Sequence, residues 1–279
     1  MDVLKNKLQV FLTLVFLVFL GWWFSFQHVV ENQGLSVQRF GYTYGAVALI
    51  GAFVGFFAAR KWGGFKTILG KALMFFSLGL LFQEAGQLIL AYYIYVSKIQ
   101  IPYPSWGDVA YFGSTLSYVC SAFFLSKAAG IKFSLKQGKY KVIALLVPAV
   151  LLVVSWVLLL HHHQYDWGKP LTVFLDFGYP IGDASYISLA IIAYLLSRRM
   201  LGGIMRAGII LVILALFIQY IADFTFIYQS SRGTWLTGKI NDLTYLIAYF
   251  LMTTAMVKFH VIYHGLRNKQ SAKETMEDA

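Results

Sequence analysis

The sequence predicts an all-α protein, a polytopic bundle of eight membrane-crossing helices with both termini on the cytoplasmic side. Three observations carry that expectation: an apolar composition, a regular succession of long apolar runs, and a one-sided distribution of basic residues. Of the 279 residues, 59% are apolar or aromatic and only 13% are charged, against about 45–50% and about 25% in ordinary soluble domains. Mean hydropathy is +0.66. The 24 Phe, 18 Tyr and 7 Trp exclude a disordered chain, because that much aromatic surface is not left solvated. One crossing needs roughly 20 apolar residues, so the composition supplies about eight. The single cysteine, Cys120, forms no internal disulfide, which leaves helix packing to hold the external loops.

Apolar runs fall at about 8–30, 42–59, 70–97, 107–126, 141–161, 171–197, 207–229 and 240–260. The first ends in Gly21-Trp22-Trp23-Phe24 with no small-residue cleavage site after it, so it reads as a retained anchor rather than a cleaved leader. Lys and Arg stay on the cytoplasmic side of short loops. With the N-terminus inside, 18 basic residues are cytoplasmic, among them Lys5, Lys7, Arg60, Lys61, Lys132, Lys136, Arg198, Arg199 and Lys258. Five are external: Arg39, Lys98, Lys169, Arg232 and Lys239. The net charge of +11 is then a topology signal with an attraction to anionic lipid headgroups. Nucleic-acid binding is the weaker explanation, since the basic residues are spread over four loops and two tails without a recognition motif. The organisation expected is a single membrane domain over 1–279, with a first four-helix half at 1–135, a second at 136–267 and a short cytoplasmic tail at 268–279. That tail and the external segment near 161–170 are too short to fold as domains, so no catalytic output module is expected.

The two halves contain similar motifs. Gln83-Glu84-Ala85-Gly86-Gln87 in the third run and Gln219-Tyr220-Ile221-Ala222-Asp223 in the seventh each place polar residues four apart on one helical face. About twenty residues later come Gly107-Asp108-Val109-Ala110-Tyr111 and Asn241-Asp242-Leu243-Thr244-Tyr245, and the pattern returns as Gly182-Asp183-Ala184-Ser185-Tyr186. Tyr-Pro precedes two of the three copies, as Tyr103-Pro104 and Tyr179-Pro180. Four helices is an even number, so a 4+4 duplication leaves both halves in the same orientation, a parallel repeat about an axis along the membrane normal.

Six of the 12 acidic residues, Glu84, Asp108, Asp176, Asp183, Asp223 and Asp242, lie in or at the ends of runs three to eight. A carboxylate at the bilayer centre costs about 2.5–3.5 kcal/mol on insertion scales, so such residues face a bundle interior or a wet cavity. Glu84 is 13 residues from Lys71 and 14 from Lys98, near mid-membrane, while Asp183, Asp223 and Asp242 lie in the outer half. Asp108 follows Pro104-Ser105-Trp106-Gly107 and suits a helix cap, a reading also open to Asp242. Glu84, Asp183 and Asp223 are expected to line a polar cavity. Gln83, Gln87 and Gln219 are expected to act chiefly as hydrogen-bonding glue between helices.

Most tyrosines and tryptophans near the outer boundary, including Tyr92, Tyr95, Tyr103, Trp106, Trp167, Tyr179 and Trp235, fit an interfacial belt. Tyr111, Tyr186 and Tyr245 stand apart, each three residues after a motif Asp, and are expected to close the cavity or bond the carboxylates. Glu84, Gln87, Asp108, Tyr111, Asp183, Tyr186, Gln219, Asp223, Asp242 and Tyr245 are therefore the candidate ligand-binding residues. His161-His162-His163 reads as a solvated loop. His260 and His264 have a spacing that zinc sites use, but Lys258 and Arg267 beside them oppose a cation, and no metal or other cofactor is assigned. There is no Walker loop, G-x-S-x-G, H-E-x-x-H or mid-span lysine.

The run Pro102-Tyr103-Pro104-Ser105-Trp106-Gly107-Asp108-Val109-Ala110-Tyr111-Phe112, then Tyr179-Pro180-Ile181-Gly182-Asp183, then Ala222-Asp223 and Asn241-Asp242, resembles the multi-span N-terminal sensory region of bacterial diguanylate cyclases and sensor kinases. The likeness covers roughly 75–260. It implies a sensory input module in a bacterial inner membrane, with a cytoplasmic signalling partner or a homodimer, and no cyclase or kinase activity, because only a short tail follows. Two main functions from different classes fit: a stand-alone sensory or ligand-binding membrane protein with an outward-facing cavity, or a transporter or channel for a cation or small cationic solute using the same carboxylates. A lipid-acting enzyme fits less well, because no nucleophile–base pair or metal triad accompanies the acids. The apolar inner halves of the runs favour binding without passage.

Overall fold

The computed structural model describes residues 6–27, 34–99, 101–128, 138–157, 166–200 and 205–277, which form helices and short connections with no strand among them. In chain order the helices are α1 (Lys7–Ser25), α2 (Leu35–Thr43), α3 (Ala46–Lys61), α4 (Ile68–Ala91, prolonged by wider π-helical turns over Tyr92–Ser97), α5 (Trp106–Ala128), α6 (Gly138–Ser155), α7 (Pro170–Met200), α8 (Arg206–Ser231) and α9 (Ile240–Glu277). Among the described residues six stretches are long and apolar enough to cross a membrane: Lys7–Ser25, Leu35–Lys61, Ile68–Ser97, Trp106–Ala128, Arg206–Ser230 and Ile240–Asn268. Over the described residues α6 and α7 do not reach that combination; α7 carries Asp176, Gly178, Pro180, Gly182 and Asp183, which lower its hydropathy.

Local chemistry fixes the helix starts. The Asn6 side chain accepts from Leu8 N at 2.9 Å at the start of α1, and Thr67 Oγ1 accepts from Gly70 N at 3.0 Å at the start of α4, each satisfying an amide that has no partner inside its helix. Lys98, at φ 52°, ends the π-helical extension. The apolar run expected at 42–59 begins earlier as a helix, at Leu35. Gln38 and Arg39 interrupt the hydropathy but not the helix, and the real discontinuity is at Tyr44-Gly45, between α2 and α3.

Packing closes six helices into a ring: α3 lies against α4, α4 against α5, α5 against α7, α7 against α8, α8 against α9, and α9 returns to α3. Helix α1 packs outside this ring on α9 and α3, and α6 packs outside on α7. Trp23 Nε1 donates to Lys239 O at 3.3 Å and Gln9 Nε2 to Thr254 Oγ1 at 3.2 Å, so α1 runs antiparallel to α9. Thr253 Oγ1 donates to Val47 O at 3.0 Å, joining α3 and α9 in parallel. Side chains such as Leu14, Val18, Phe53, Phe57, Phe123 and Phe217 are exposed on the outer faces, the arrangement a hydrocarbon solvent requires rather than water.

Inside the ring the contact between α4 and α5 depends on two glycines. Gly79 leaves room for the Tyr118 ring, and a Cβ on Gly86 would sit 2.7 Å from Tyr111 Cε1. A Cβ on Gly113, by contrast, would rest at an ordinary 3.4 Å from Phe82. Gly79→Val is therefore expected to lower the stability of detergent-solubilised protein by about 1–3 kcal/mol through overpacking, while Gly113→Ala leaves the thermal midpoint unchanged or slightly raised; equal losses from the two would contradict this packing.

Candidate functional site

The ring encloses a cavity of about 410 Å³ at the end where residues 98–105 and 232–239 connect the helices. Its walls are Tyr111 of α5, Asp223 of α8, Tyr245 of α9, Gln87 of α4 and Tyr44 from the α2–α3 break; Gln83 and Tyr249 lie deepest, and Tyr95, Tyr103, Asp176, Tyr179 and Trp235 form the rim. Beneath it the fully buried Tyr118, Tyr186 and Met252 fill the ring, with Tyr118 Oη 3.3 Å from Met252 Sδ and the Tyr118 and Tyr186 rings 5.9 Å apart.

One wall is built around Asp223. Tyr245 Oη donates to Oδ1 at 2.9 Å, Gln219 Nε2 reaches both oxygens at 3.0 and 3.2 Å, and Tyr186 Oη approaches Oδ2 at 3.5 Å. Three helices thus meet at one carboxyl group, and each of these donors is neutral. The facing wall is built around Gln87. Its Nε2 donates to the Gly41 carbonyl, and its Oε1 accepts from Tyr44 Oη at 3.3 Å and Tyr111 Oη at 3.5 Å. The Gly41 carbonyl lies four residues before the break at Gly45, where a continuous helix would supply its donor; the side-chain amide of Gln87 takes that place. Gln83 bridges α5 and α9, donating to Ser114 Oγ at 2.8 Å and accepting from Tyr249 Oη at 3.2 Å.

Asp108 and Asp242 act as caps that also line the cavity. Asp108 Oδ2 accepts from Ser105 N at 2.7 Å and Ser105 Oγ at 2.8 Å, and Asp242 Oδ2 accepts from Gly238 N at 2.6 Å, each reaching back from the first turn of its helix to a free amide. Tyr179 Oη adds a bond to Asp108 Oδ1 at 3.2 Å. Asn241 Nδ2 donates to Ala222 O at 2.8 Å, tying α9 to α8, while its Oδ1 is buried with no partner.

Four of the expected site residues lie behind the wall. Glu84 is 6% exposed, Asp183 2%, and Tyr186 and Gln219 0%, and none of them lines the cavity. The reason is helical geometry. Gln83 and Gln87, four apart, share the inward face of α4, and Glu84 is turned about 100° away from Gln83. Its Oε2 sits where Gly45 would carry a Cβ, without a hydrogen-bond partner. Asp183 lies four residues beyond Tyr179 on α7, about 6 Å along the helix, and is turned into the packing between α7 and α8 beside Asp223 rather than onto the cavity lining; its Oδ1 also has no partner. Two of the motif tyrosines bond to the neighbouring helix rather than to the Asp three residues before them, Tyr245 to Asp223 and Tyr111 to Gln87, while Tyr186 reaches both Asp183 on its own helix and Asp223 on α8.

Tyr44, Tyr95, Tyr103, Asp176, Tyr179, Trp235, Thr237 and Asn241 line the cavity although the motifs did not single them out as site residues. The signal available for two of them was the shared Tyr-Pro pair, because Tyr103, just before α5, and Tyr179 of α7 both stand at the rim. Tyr103 Oη donates to Asp176 Oδ1 at 2.8 Å, and desolvation together with that carboxyl group pushes the Tyr103 hydroxyl above its ordinary pKa. In the neighbouring loop Lys169 Nζ lies 3.1 Å from Asp166 Oδ2 and, with Gly168 N, holds Asp166 below the usual carboxyl range.

At the opposite end of the ring, Lys61 Nζ approaches His264 Nε2 at 2.6 Å and the His260 and His264 rings are 4.7 Å apart. Among the described residues no three His, Cys, Asp or Glu side chains are grouped to hold a metal. His161-His162-His163, Lys5, Lys132 and Lys136 lie outside the described residues.

Compared with known proteins, the chain matches no family model, no curated protein and no solved structure. Its class follows from the fold: a helical bundle of membrane-protein type, with six apolar helices of spanning length among the described residues and an acidic, tyrosine-lined cavity at one end of the ring. The asymmetry of the two walls is testable. Tyr245→Phe removes a 2.9 Å bond to Asp223 and is expected to cost about 1 kcal/mol, whereas Tyr111→Phe, losing only a 3.5 Å contact, costs about half that or less. Thermal unfolding of the two variants in one detergent measures the difference; a larger loss from Tyr111→Phe would contradict the assignment.

Proposed function

We propose that this chain is an integral-membrane ligand-binding protein of sensory type, and that it receives its ligand from the external side into the cavity between Asp223 and Gln87. The observation that carries this reading is a cavity of about 410 Å³ at one end of the ring above a floor of fully buried side chains. A route for passage needs polar groups reachable from both ends; beneath Tyr118, Tyr186 and Met252 the ring is packed with Phe76, Leu80, Leu216 and Met256. That favours binding over transport of a cationic solute.

In this reading α6 and α7 are also membrane spans and α2 with α3 forms one crossing, eight in all. Helix α7, at 31 residues, is about 46 Å long, more than a hydrocarbon core of about 30 Å requires. The cavity end is external and the N- and C-terminal ends cytoplasmic, in keeping with 18 basic residues against five. A parallel 4+4 duplication is supported by the ring order, in which α3, α4 and α5 are followed by α7, α8 and α9 with α1 and α6 both outside, and by the shared capping role of Asp108 and Asp242. The resemblance to sensory membrane regions fits a signalling partner, or a second copy of this chain, at the basic end.

Accessibility tests the reading directly. With Cys120→Ala removing the native thiol, Thr237→Cys in the cavity wall is expected to react with a membrane-impermeant maleimide added to right-side-out vesicles, whereas Ser188→Cys, buried below the floor, is not. Failure of Thr237→Cys to label, or labelling only from the cytoplasmic face, would overturn an outward binding cavity. Flux of a small cation through reconstituted vesicles would replace binding by transport.

A further inference from the structure

We propose that the ligand is an organic cation, a protonated amine carried on an apolar or aromatic body. This deepens the preceding reading and rests on the cavity being a binding site.

The first ground is charge. Asp108, Asp176, Asp223 and Asp242 all line the cavity, and among its described lining residues there is no Lys, Arg or His. Asp223 is held by the neutral donors Tyr245, Gln219 and Tyr186, so the protein positions its oxygens without supplying a counter-charge. An entering ammonium supplies one, and an anion meets only repulsion in a site of low polarity.

The second ground is an unanswered acceptor. Asn241 is fully buried, lines the cavity, and commits its Nδ2 to Ala222 O, which leaves Oδ1 without a donor. A buried carbonyl oxygen of this kind is normally satisfied; a turn of the Asn241 side chain toward the cavity would bring it to a ligand N–H group beside Asp242. The Trp235 indole N–H, also unpartnered and on the lining, suits a water or a ligand oxygen.

The third ground is aromatic surface. Tyr44, Tyr249 and Tyr245 lie in a row, Tyr44 stacked on Tyr249 at 6.1 Å and Tyr245 tilted against Tyr249 at 6.0 Å, and Tyr111 lines the same cavity. Tyrosine faces attract cations through their quadrupole and also bury an apolar body. A bare inorganic cation fits poorly, because it needs several oxygens converging within about 2.6 Å, and Asp108, Asp223 and Asp242 are each engaged by separate donors on different helices. A volume of about 410 Å³ is that of a site for an organic molecule.

The test uses three probes with one body and three charges: 2-phenylethylammonium, 2-phenylethanol and phenylacetate, titrated calorimetrically into the full chain in nanodiscs. The amine is expected to bind about tenfold or more tighter than the alcohol, with phenylacetate weakest. Asp223→Asn is expected to remove most of that preference, so that the amine and the alcohol bind with similar affinity. Should Asp223→Asn not fold, the amine is expected to slow maleimide labelling of Thr237→Cys at concentrations where the alcohol does not. Equal or tighter binding of the alcohol or phenylacetate overturns the cation and leaves a binding cavity standing. Absence of binding by all three, with Thr237→Cys still labelled, overturns the ligand class alone; absence of labelling removes the cavity itself.

Discussion

The structure depends on one constraint: a polar side chain inside an apolar helix ring cannot turn to the lipid outside, so it is held by hydrogen bonds from neighbouring helices. Asp223 gathers donors from α7, α8 and α9. Gln87 gathers the α2–α3 break and α5. Gln83 joins α4 to α5 and α9. These contacts fix the helices around the cavity at chosen rotations, which non-directional burial of Leu and Phe does not do by itself, and they leave the hydroxyl and carboxyl groups of the wall in defined positions.

The break between α2 and α3 shows how backbone and side chain divide this work. Gly45 has no Cβ, so Glu84 Oε2 fits against it, and the turn at Tyr44 swings that ring into the cavity wall. The Gly41 carbonyl left over at the break is taken by Gln87. One interruption thus admits an acidic side chain, an aromatic wall and a hydrogen-bond bridge. It is the local irregularity expected where a helix lines a cavity rather than lipid.

Much of the site was legible because polar residues stand out in apolar runs. The spacing of Gln83 with Gln87 and of Gln219 with Asp223 identified α4 and α8, and the Asp-x-x-Tyr motifs identified the starts of α5 and α9, where Asp108 and Asp242 cap. Rotation and depth were not legible. Glu84 differs from Gln83 by one residue and so by one face, and Asp183 differs from Tyr179 by one turn, yet both fall outside the cavity. Composition does not separate a lipid-belt tyrosine from a wall tyrosine: Tyr95 and Tyr179 fit the belt by position in the sequence, and only the packing of α2 and Thr237 around Tyr95 and of α5 against Tyr179 turns them to the cavity. Ring closure, with α1 and α6 left outside, depends on contacts between helices far apart in sequence, which no local pattern encodes.

The most direct measurement of the central claim, a hydrated cavity above a dry floor, is radiolytic hydroxyl-radical footprinting of the protein in nanodiscs, read tyrosine by tyrosine. Water in the cavity is expected to give oxidation at Tyr95, Tyr111 and Tyr245, with Tyr118 and Tyr186 protected at the same dose. Equal protection of all five, or oxidation of Tyr118 and Tyr186 as fast as Tyr245, would contradict it.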